Sequence, residues 1–153
     1  MARRTLARGV HIRESVPTCV NTGTHRGRCF CGDVTFSVAG PEKYACYCHC
    51  ESCRRAAGGV YVAWATFAKA DFVITHGTMA EHESAPGVSR GLCARCGTSI
   101  TYETDKRAGQ IDVTLTSFDD PSQFLPRSHI WVEDKLPWVD ILDDLPQFEK
   151  NAG

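Results

Sequence analysis

The stretch Cys46-Tyr47-Cys48-His49-Cys50-Glu51-Ser52-Cys53-Arg54-Arg55 decides how this chain is organised. It places four thiols and one imidazole within eight residues, and two arginines follow directly. Thiolates held this close together repel one another unless a metal cation or a disulfide neutralises them. The stretch is therefore either a metal site or a redox-active site, and the rest of the sequence has to distinguish the two.

The composition is typical of one globular domain without a strongly charged partner. The chain has 153 residues, of which 42% are hydrophobic, and its net charge is −1 with a pI of about 6.6. A domain of this length can bury a sizeable core. The charge balance gives no electrostatic reason to expect nucleic acid or an anionic membrane surface as a partner. No apolar stretch approaches the roughly 18–20 residues of a membrane span.

The nine cysteines are odd in number and clustered along the chain. A secreted disulfide scaffold more often has an even number at wider spacing. No apolar segment typical of a secretory signal follows the N-terminal arginines. We therefore expect a cytoplasmic, reducing location in which metal ions hold the thiolates.

Residues 1–23 differ from the rest of the chain, because they carry four arginines against a single acid and show no apolar periodicity. This composition predicts a disordered basic extension or a misplaced start. A transit peptide or an arm for an anionic partner is the alternative. Residues 24–150 are expected to form the metal-binding domain.

Short segments of strand-forming residues predict a mainly β, antiparallel fold with little helix. In the first of them Val34, Phe36 and Val38 alternate with polar residues, which is the period of a half-buried strand. The further predicted strands are 60–67, 72–75, 98–102, 111–115 and 129–132. The remaining features are a helical turn at 54–57, a turn signal at Pro86-Gly87 within the polar segment 81–90, and short helical turns in the acidic tail 137–149.

Cys93-x-x-Cys96-Gly97 has the spacing of a metal-binding turn. Two thiolates three residues apart can point at one ion, and the glycine tolerates the left-handed turn that aims backbone N–H groups at sulfur. A thioredoxin-type redox pair would need a βαβ context, which this sequence lacks. Cys29-x-Cys31-Gly32 is a second pair of the same kind. Together the two pairs complete a tetrahedral set of four thiolates, so we predict that they hold a structural zinc ion.

The four thiols of the opening stretch cannot all reach one ion easily. In a straight strand Cys46 and Cys50 would lie about 13 Å apart. The easier set is Cys48, Cys50 and Cys53, which combines a C-x-C step with a C-x-x-C step. Three protein ligands leave a fourth position open, which is typical of a catalytic zinc ion. If Cys46 curls back, it fills that position and makes the site structural.

The neighbours of these thiols suggest possible roles in binding. Arg54 and Arg55 would favour the thiolate forms and could bind a substrate carboxylate, with ordinary surface charge as the alternative. In an extended segment His49 points away from Cys48 and Cys50, so we expect it to be a bystander and not a ligand.

A zinc nucleobase deaminase is a rival interpretation, because His49-x-Glu51 with a later C-x-x-C is similar to the H-x-E…P-C-x-x-C signature. Leu92 stands where that signature has proline. The α/β alternation expected of such enzymes is also missing, and several cysteines stay unexplained. We therefore do not favour this interpretation.

Three cysteine motifs in this order resemble the glutathione-dependent formaldehyde-activating enzyme family, which also includes centromere protein V. The motifs are the runs 25–34 (HRGRCFCGDV), 48–55 (CHCESCRR) and 93–98 (CARCGT). The runs 118–121 and 126–132 are similar to the C-terminal part of the family. The resemblance covers about residues 24 to 149.

The resemblance implies a β-tent of antiparallel sheets around two zinc ions per chain. It implies a structural ion at the four-cysteine set and a second, more labile ion at Cys48, Cys50 and Cys53, near the glutathione site. Three thiolates leave such a site net negative, which weakens its Lewis acidity compared with three neutral imidazoles.

The reaction that gives the family its name is the addition of glutathione to formaldehyde, which gives S-hydroxymethylglutathione. Its reverse is a carbon–sulfur lyase reaction. The expected partner is a small thiol such as glutathione, with no nucleic acid and no membrane. The alternative function is a non-catalytic, zinc-stabilised binding module, because the family includes a chromatin-associated member.

Overall fold

The computed structural model describes residues 23–152, which form ten strands and one α-helix. The strands are β1 (Thr24–Arg28), β2 (Thr35–Ala39), β3 (Tyr44–Cys48), β4 (Val62–Ala68), β5 (Phe72–His76), β6 (Met79–Ala85), β7 (Val88–Cys93), β8 (Ser99–Thr104), β9 (Gln110–Thr114) and β10 (His129–Ile130). The helix α1 spans Glu51–Ala57. The extension predicted at residues 1–23 lies, apart from Gly23, outside the described residues.

The strands form two sheets. The small sheet has the order β1-β2-β5, and the large sheet has the order β10-β3-β4-β9-β8-β7-β6. Every pairing is antiparallel except that of β10 with β3, which is parallel. The prediction of a mainly β, antiparallel domain with little helix is confirmed.

The apolar core joins the small sheet to the large one. Phe36 and Val38 of β2 lie in the same buried cluster as Phe67 of β4 and Val113 of β9, and none of the four side chains is more than 1% exposed. The predicted alternation is confirmed, because Phe36 and Val38 are buried while Thr35 and Ser37 are only partly covered. This packing fixes the position of the small sheet over the large one.

Strand β9, which corresponds to the strand predicted at 111–115, is buried on both faces. It lies in the middle of the large sheet, between β4 and β8. Its carboxylate Asp112 is 7% exposed and accepts hydrogen bonds from the Thr66 hydroxyl (2.6 Å) and from Nη1 of Arg107 (3.1 Å). These partners allow a buried charge at this position.

Helix α1 begins at Glu51, three residues before the helical turn predicted at 54–57. The sulfur of Cys50 accepts a hydrogen bond from the backbone N–H of Cys53 at 3.3 Å and thereby caps the helix. Gly58 ends it in the left-handed conformation, with φ of 68°. A sulfur cap is not among the usual start signals of a helix. The helix start predicted from the sequence is therefore too late.

The polar segment 81–90 belongs to a hairpin of β6 and β7, and the predicted turn at Pro86-Gly87 lies at its tip. The tail 137–149 contains no helix, and the predicted helical turns are reduced to a single hydrogen-bonded turn at its start, where the Val139 N–H donates to the Leu136 carbonyl (3.0 Å). The tail runs beside β10 instead: the His129 backbone N–H donates to Pro146 (2.8 Å), and the Phe148 N–H donates to His129 (2.9 Å). Over residues 23–152 we find no helix that is both long and apolar enough to cross a membrane.

Candidate metal centres

The first cluster consists of Cys29, Cys31, Cys93 and Cys96, whose sulfurs all lie within 4.8 Å of one another. The Cys29 and Cys31 sulfurs are 3.5 Å apart, and the Cys31 and Cys93 sulfurs are 3.8 Å apart. Two sulfurs that share a tetrahedral zinc ion are about 3.8 Å apart, because each bond is about 2.3 Å long. The geometry of the cluster therefore fits a four-thiolate metal site.

Hydrogen-bond donors point at the sulfurs of this first cluster. The backbone N–H of Val34 donates to Cys29 at 3.3 Å, and the Thr98 hydroxyl lies 3.2 Å from the sulfur of Cys96. The hydrogen bond from the Thr98 side chain, with help from backbone N–H groups, lowers the pKa of Cys96 to about 5. Such donors favour the thiolate, which is the form that binds a metal ion.

The first cluster connects the two sheets. Cys29 and Cys31 follow β1 of the small sheet, whereas Cys93 ends β7 of the large sheet and Cys96 lies in the turn before β8. Cys31 and Cys93 are 62 positions apart in sequence. A shared ion would therefore close a long loop.

The second cluster consists of Cys48, Cys50 and Cys53, whose sulfurs also lie within 4.8 Å of one another. Cys48 ends β3, Cys50 caps α1 and Cys53 lies in the first turn of that helix. The change from strand to helix turns the chain back on itself, so three thiols that are close in sequence converge. Three sulfurs of this kind can hold a divalent ion and leave its fourth position open.

Cys46 does not belong to the second cluster. It is buried in β3, two residues before Cys48, and its sulfur is not among those that lie within 4.8 Å of one another. Burial raises the pKa of its thiol to about 12. Among residues 23–152, no histidine, aspartate, glutamate or further cysteine adds a fourth ligand atom to the second cluster.

The surroundings of the second cluster shift the pKa values of its thiols in opposite directions. Hydrogen bonds from Cys48 and Cys50, together with the positive charge of Arg90, lower the pKa of Cys53 to about 3. Hydrogen bonds with Cys50 and Cys53, together with burial, raise the pKa of Cys48. The surroundings of Cys53 therefore favour its thiolate, which is the form that binds a metal ion.

Arg90 in β7 contacts this cluster and was missed in the sequence. Its Nη1 and Nη2 atoms each lie 3.8 Å from the sulfur of Cys53. Its guanidinium lies over the ring of Tyr102, 4.9 Å from the ring centroid. The only sequence signal was a positive charge three residues before Cys93, and a lone arginine in a polar segment does not identify a site.

A cavity of about 1430 Å³ opens beside the second cluster. One part of its wall is apolar and aromatic and includes Trp64, Tyr102 and Trp131. Three of its cationic residues are Lys43, Arg55 and Lys106. Carboxylates line it as well, among them those of Glu51 and Asp134. A cavity of this size and mixed lining can take a small polar molecule.

The two arginines that follow the cysteines have different positions. Arg54 donates from Nε to the carbonyl of His49 (3.0 Å) and from Nη2 to the carbonyl of Asp134 (3.1 Å), so it joins two backbone segments. Arg55 lines the cavity and forms an exposed ion pair with Glu51 at 2.7 Å. Of the two, Arg55 is the one that a ligand in the cavity can reach.

His49 is fully buried and lies outside both sets of sulfurs. Its Nε2 atom is 2.8 Å from Nδ1 of His129, whose Nε2 is 3.2 Å from the carboxylate of Asp143. Burial lowers the pKa of His49 to about 4. The ring therefore connects the metal-site segment to the tail as a neutral group.

The chain matches known proteins over most of its length. The family model described as "Glutathione-dependent formaldehyde-activating enzyme" matches residues 24–134. A Halomonas elongata protein, provisionally named a glutathione-dependent formaldehyde-activating enzyme, is 34% identical over 128 residues, which cover 75% of this chain and 79% of the relative. A crystal structure of a Rhodobacter sphaeroides protein has a TM-score of 0.52 and 19% identity, and covers 80% of this chain and 98% of that chain, which supports a shared fold alone.

The family match includes every cysteine of both clusters as well as Arg90. The chain therefore belongs to the glutathione-dependent formaldehyde-activating enzyme family.

Proposed function

We propose that this protein is a carbon–sulfur lyase-type enzyme that adds a small thiol to an aldehyde, with glutathione and formaldehyde as its substrates. In this reaction the thiol adds across the carbonyl group: a C–S bond forms, and the thiol proton ends on the aldehyde oxygen. The step needs no oxidant or reductant. The product from glutathione and formaldehyde is S-hydroxymethylglutathione.

One observation carries the proposal: three converging thiols lie beside a large cavity, and no fourth ligand side chain of residues 23–152 closes the set. A closed four-thiolate site would be structural, whereas an open three-ligand site is typical of catalysis. We propose zinc as the ion at both clusters, and Cys48, Cys50 and Cys53 as the residues that hold the catalytic one. When bound there, zinc supplies a Lewis acid that lowers the pKa of a substrate thiol.

The residues around the second cluster have roles of their own. Trp64, Tyr102 and Trp131 cover one side of the thiols and reduce the access of water. Arg55, on the cavity wall, is placed to pair with a carboxylate of the thiol substrate. These contacts orient the sulfur of the substrate towards the cluster. Formaldehyde is small and needs little further space.

Location and domain extent are also part of the proposal. All eight cysteines in the described residues are free of disulfides. Free thiols of this number are typical of a reducing compartment, so we propose the cytoplasm. We propose further that residues 24–150 act as one zinc-binding domain.

Exchange NMR of a glutathione–formaldehyde mixture tests the function. The adduct forms and breaks down in solution, so the measurement is the exchange rate with and without zinc-loaded protein. We expect the protein to increase this rate, the variant Cys48→Ala to lose the increase, and the variant His76→Gln, altered at an exposed position of the small sheet, to keep it. An unchanged exchange rate, with glutathione bound or not, would instead favour a binding module.

A further inference from the structure

Arg90 is a buried cation in the wall of the candidate active site. Arg90 is only 7% exposed, and a guanidinium stays protonated at every pH at which proteins fold. Burying a charge is costly unless an opposite charge and hydrogen-bond acceptors compensate for it. The contacts of Arg90 therefore show which group in the structure compensates for its positive charge.

No carboxylate within residues 23–152 forms an ion pair with Arg90. Its Nε donates to the hydroxyl of Ser84 at 3.1 Å, and its flat face lies on the ring of Tyr102. Its two remaining nitrogens both lie 3.8 Å from the sulfur of Cys53. The anion that faces Arg90 is thus the cysteine cluster itself.

Arg107 provides a contrast in the same cavity. Its guanidinium lies 5.9 Å from the centroid of the same Tyr102 ring, but it forms an ion pair with Asp112. The charge of Arg107 is therefore already balanced by a carboxylate. Arg90 is the arginine whose charge is directed at sulfur.

We propose that Arg90 is a positioning residue that balances the charge of the Cys48, Cys50 and Cys53 site by directing both of its terminal guanidinium nitrogens at the sulfur of Cys53. The inference rests on the metal site proposed above and deepens it. Three thiolates leave a divalent ion with a net negative charge, which opposes the approach of a fourth, anionic sulfur. A permanent cation 3.8 Å from one ligand sulfur offsets that charge.

Two features make this role specific to arginine. The planar guanidinium directs two nitrogens at one sulfur while its face stacks on Tyr102, which a lysine ammonium cannot do. Hydrogen bonds to a ligand atom also fix its direction. A lysine at this position keeps the charge and loses the paired contact, so it separates the two contributions.

The experiment compares full-length wild-type protein with Arg90→Gln, Arg90→Lys and Lys106→Gln. The last variant removes a charge from the rim of the same cavity without touching Cys53. Each protein is loaded with zinc and titrated with a chromophoric chelator, so that both ions are measured in one molecule. In Arg90→Gln we expect the second ion to be held about 10–100-fold more weakly, with the first unchanged. Arg90→Lys should lie between Arg90→Gln and wild type, and Lys106→Gln should match wild type.

Cobalt-loaded protein gives a second readout that a purely structural role would not change. In Arg90→Gln we expect the thiolate-to-cobalt charge-transfer bands of the second site to shift. We also expect this site to bind both 2-mercaptoethanol and glutathione more weakly, with the same loss factor for the two thiols. 2-Mercaptoethanol has no carboxylate. A loss confined to glutathione would mean that Arg90 binds a substrate carboxylate, and would overturn the proposal.

The possible failures can be told apart. A wild-type protein that takes up one ion only overturns the metal site and this inference together. Two ions in the wild type, with unchanged affinity and spectrum in Arg90→Gln, overturn this inference alone. If Arg90→Gln does not fold, Arg90→Lys provides the same test, because the proposal requires the lysine variant to bind the second ion more weakly than wild type.

Discussion

The Nε2 atom of His49 lies 2.8 Å from the Nδ1 atom of His129, and both rings are buried. The two histidines are 80 positions apart in sequence. His129 belongs to β10, which pairs in parallel with β3 beside Tyr47 and Cys48. The histidine pair thus holds the C-terminal part of the chain against the segment that carries the second cluster.

Replacing His129 with leucine should destabilise the protein. The substitution leaves the buried Nε2 atom of His49 without the partner that it has in this pair, and a buried polar group without a partner costs about 1–3 kcal/mol. Urea unfolding gives the free energy of unfolding directly. The matched control is His76→Leu, because His76 is exposed on β5, and a change of no more than about 0.5 kcal/mol is expected there. Equal stability of the two variants would contradict the structural role of the histidine pair.

Metal analysis of the purified protein should give two zinc ions per chain. A moderate chelator should remove one of them without unfolding the domain, because the second cluster offers three ligands and an open position whereas the first offers four. Circular dichroism during the titration checks the fold. One tightly held ion, with nothing released before unfolding, would rule out the open site.

Serine in place of Cys48 and serine in place of Cys96 should have different effects. Cys96→Ser removes a ligand from the cluster that joins the two sheets, and loss of a structural metal ion is among the changes that most strongly destabilise a protein. Cys48→Ser should leave the domain folded and weaken thiol binding. Melting temperatures of both variants, together with glutathione titrations, test this difference. Equal melting temperatures would be incompatible with one structural and one catalytic ion.

Alanine in place of Cys46 should leave two zinc ions per chain. The sulfur of Cys46 is outside the group that converges at Cys48, and burial keeps its thiol protonated at neutral pH. Metal content after dialysis against a weak chelator is the measurement. If Cys46→Ala loses the second ion, Cys46 reaches the metal after all, and the site has four ligands.

Gly77→Ala should destabilise the domain more than Gly109→Ala does. Both glycines have left-handed backbones, with φ of 74° and 78°, so both variants share a backbone cost of about 1–2 kcal/mol. A Cβ atom at Gly77 would lie 1.8 Å from the carbonyl oxygen of Asp33, whereas a Cβ atom at Gly109 meets nothing within 4 Å. The difference in unfolding free energy isolates the collision with the segment that follows Cys31. No difference would mean that this segment moves aside freely.

The first cluster was predictable from the sequence because its ligands lie in two short motifs with fixed spacing. One motif contains Cys29 and Cys31, and the other contains Cys93 and Cys96. An antiparallel fold is enough to bring the two motifs together. The alternation of Val34, Phe36 and Val38 gave the local signal for that fold. Spacing within a few residues carries this kind of information reliably.

The surroundings of the second cluster were not predictable in the same way. Arg90 reaches Cys53 from a strand 37 positions later in sequence, and His129 reaches His49 across 80 positions. Such pairings depend on the order of strands in the large sheet, which the sequence pattern does not determine. The burial of Asp112 was missed for the same reason, since its partner Thr66 lies on a neighbouring strand.

Strand β7 carries Arg90 in its interior and Cys93 at its end, so one short segment belongs to both clusters. For two zinc sites of the kind proposed here, the numbers of ligands give loading an order. The first site would hold its ion with four thiolates and the second with three, so the first would bind zinc more tightly and fill first. In a cell short of zinc, newly made chains would fill the first site and leave the second empty. The active fraction would then follow the zinc supply, although the total amount of folded protein stayed the same.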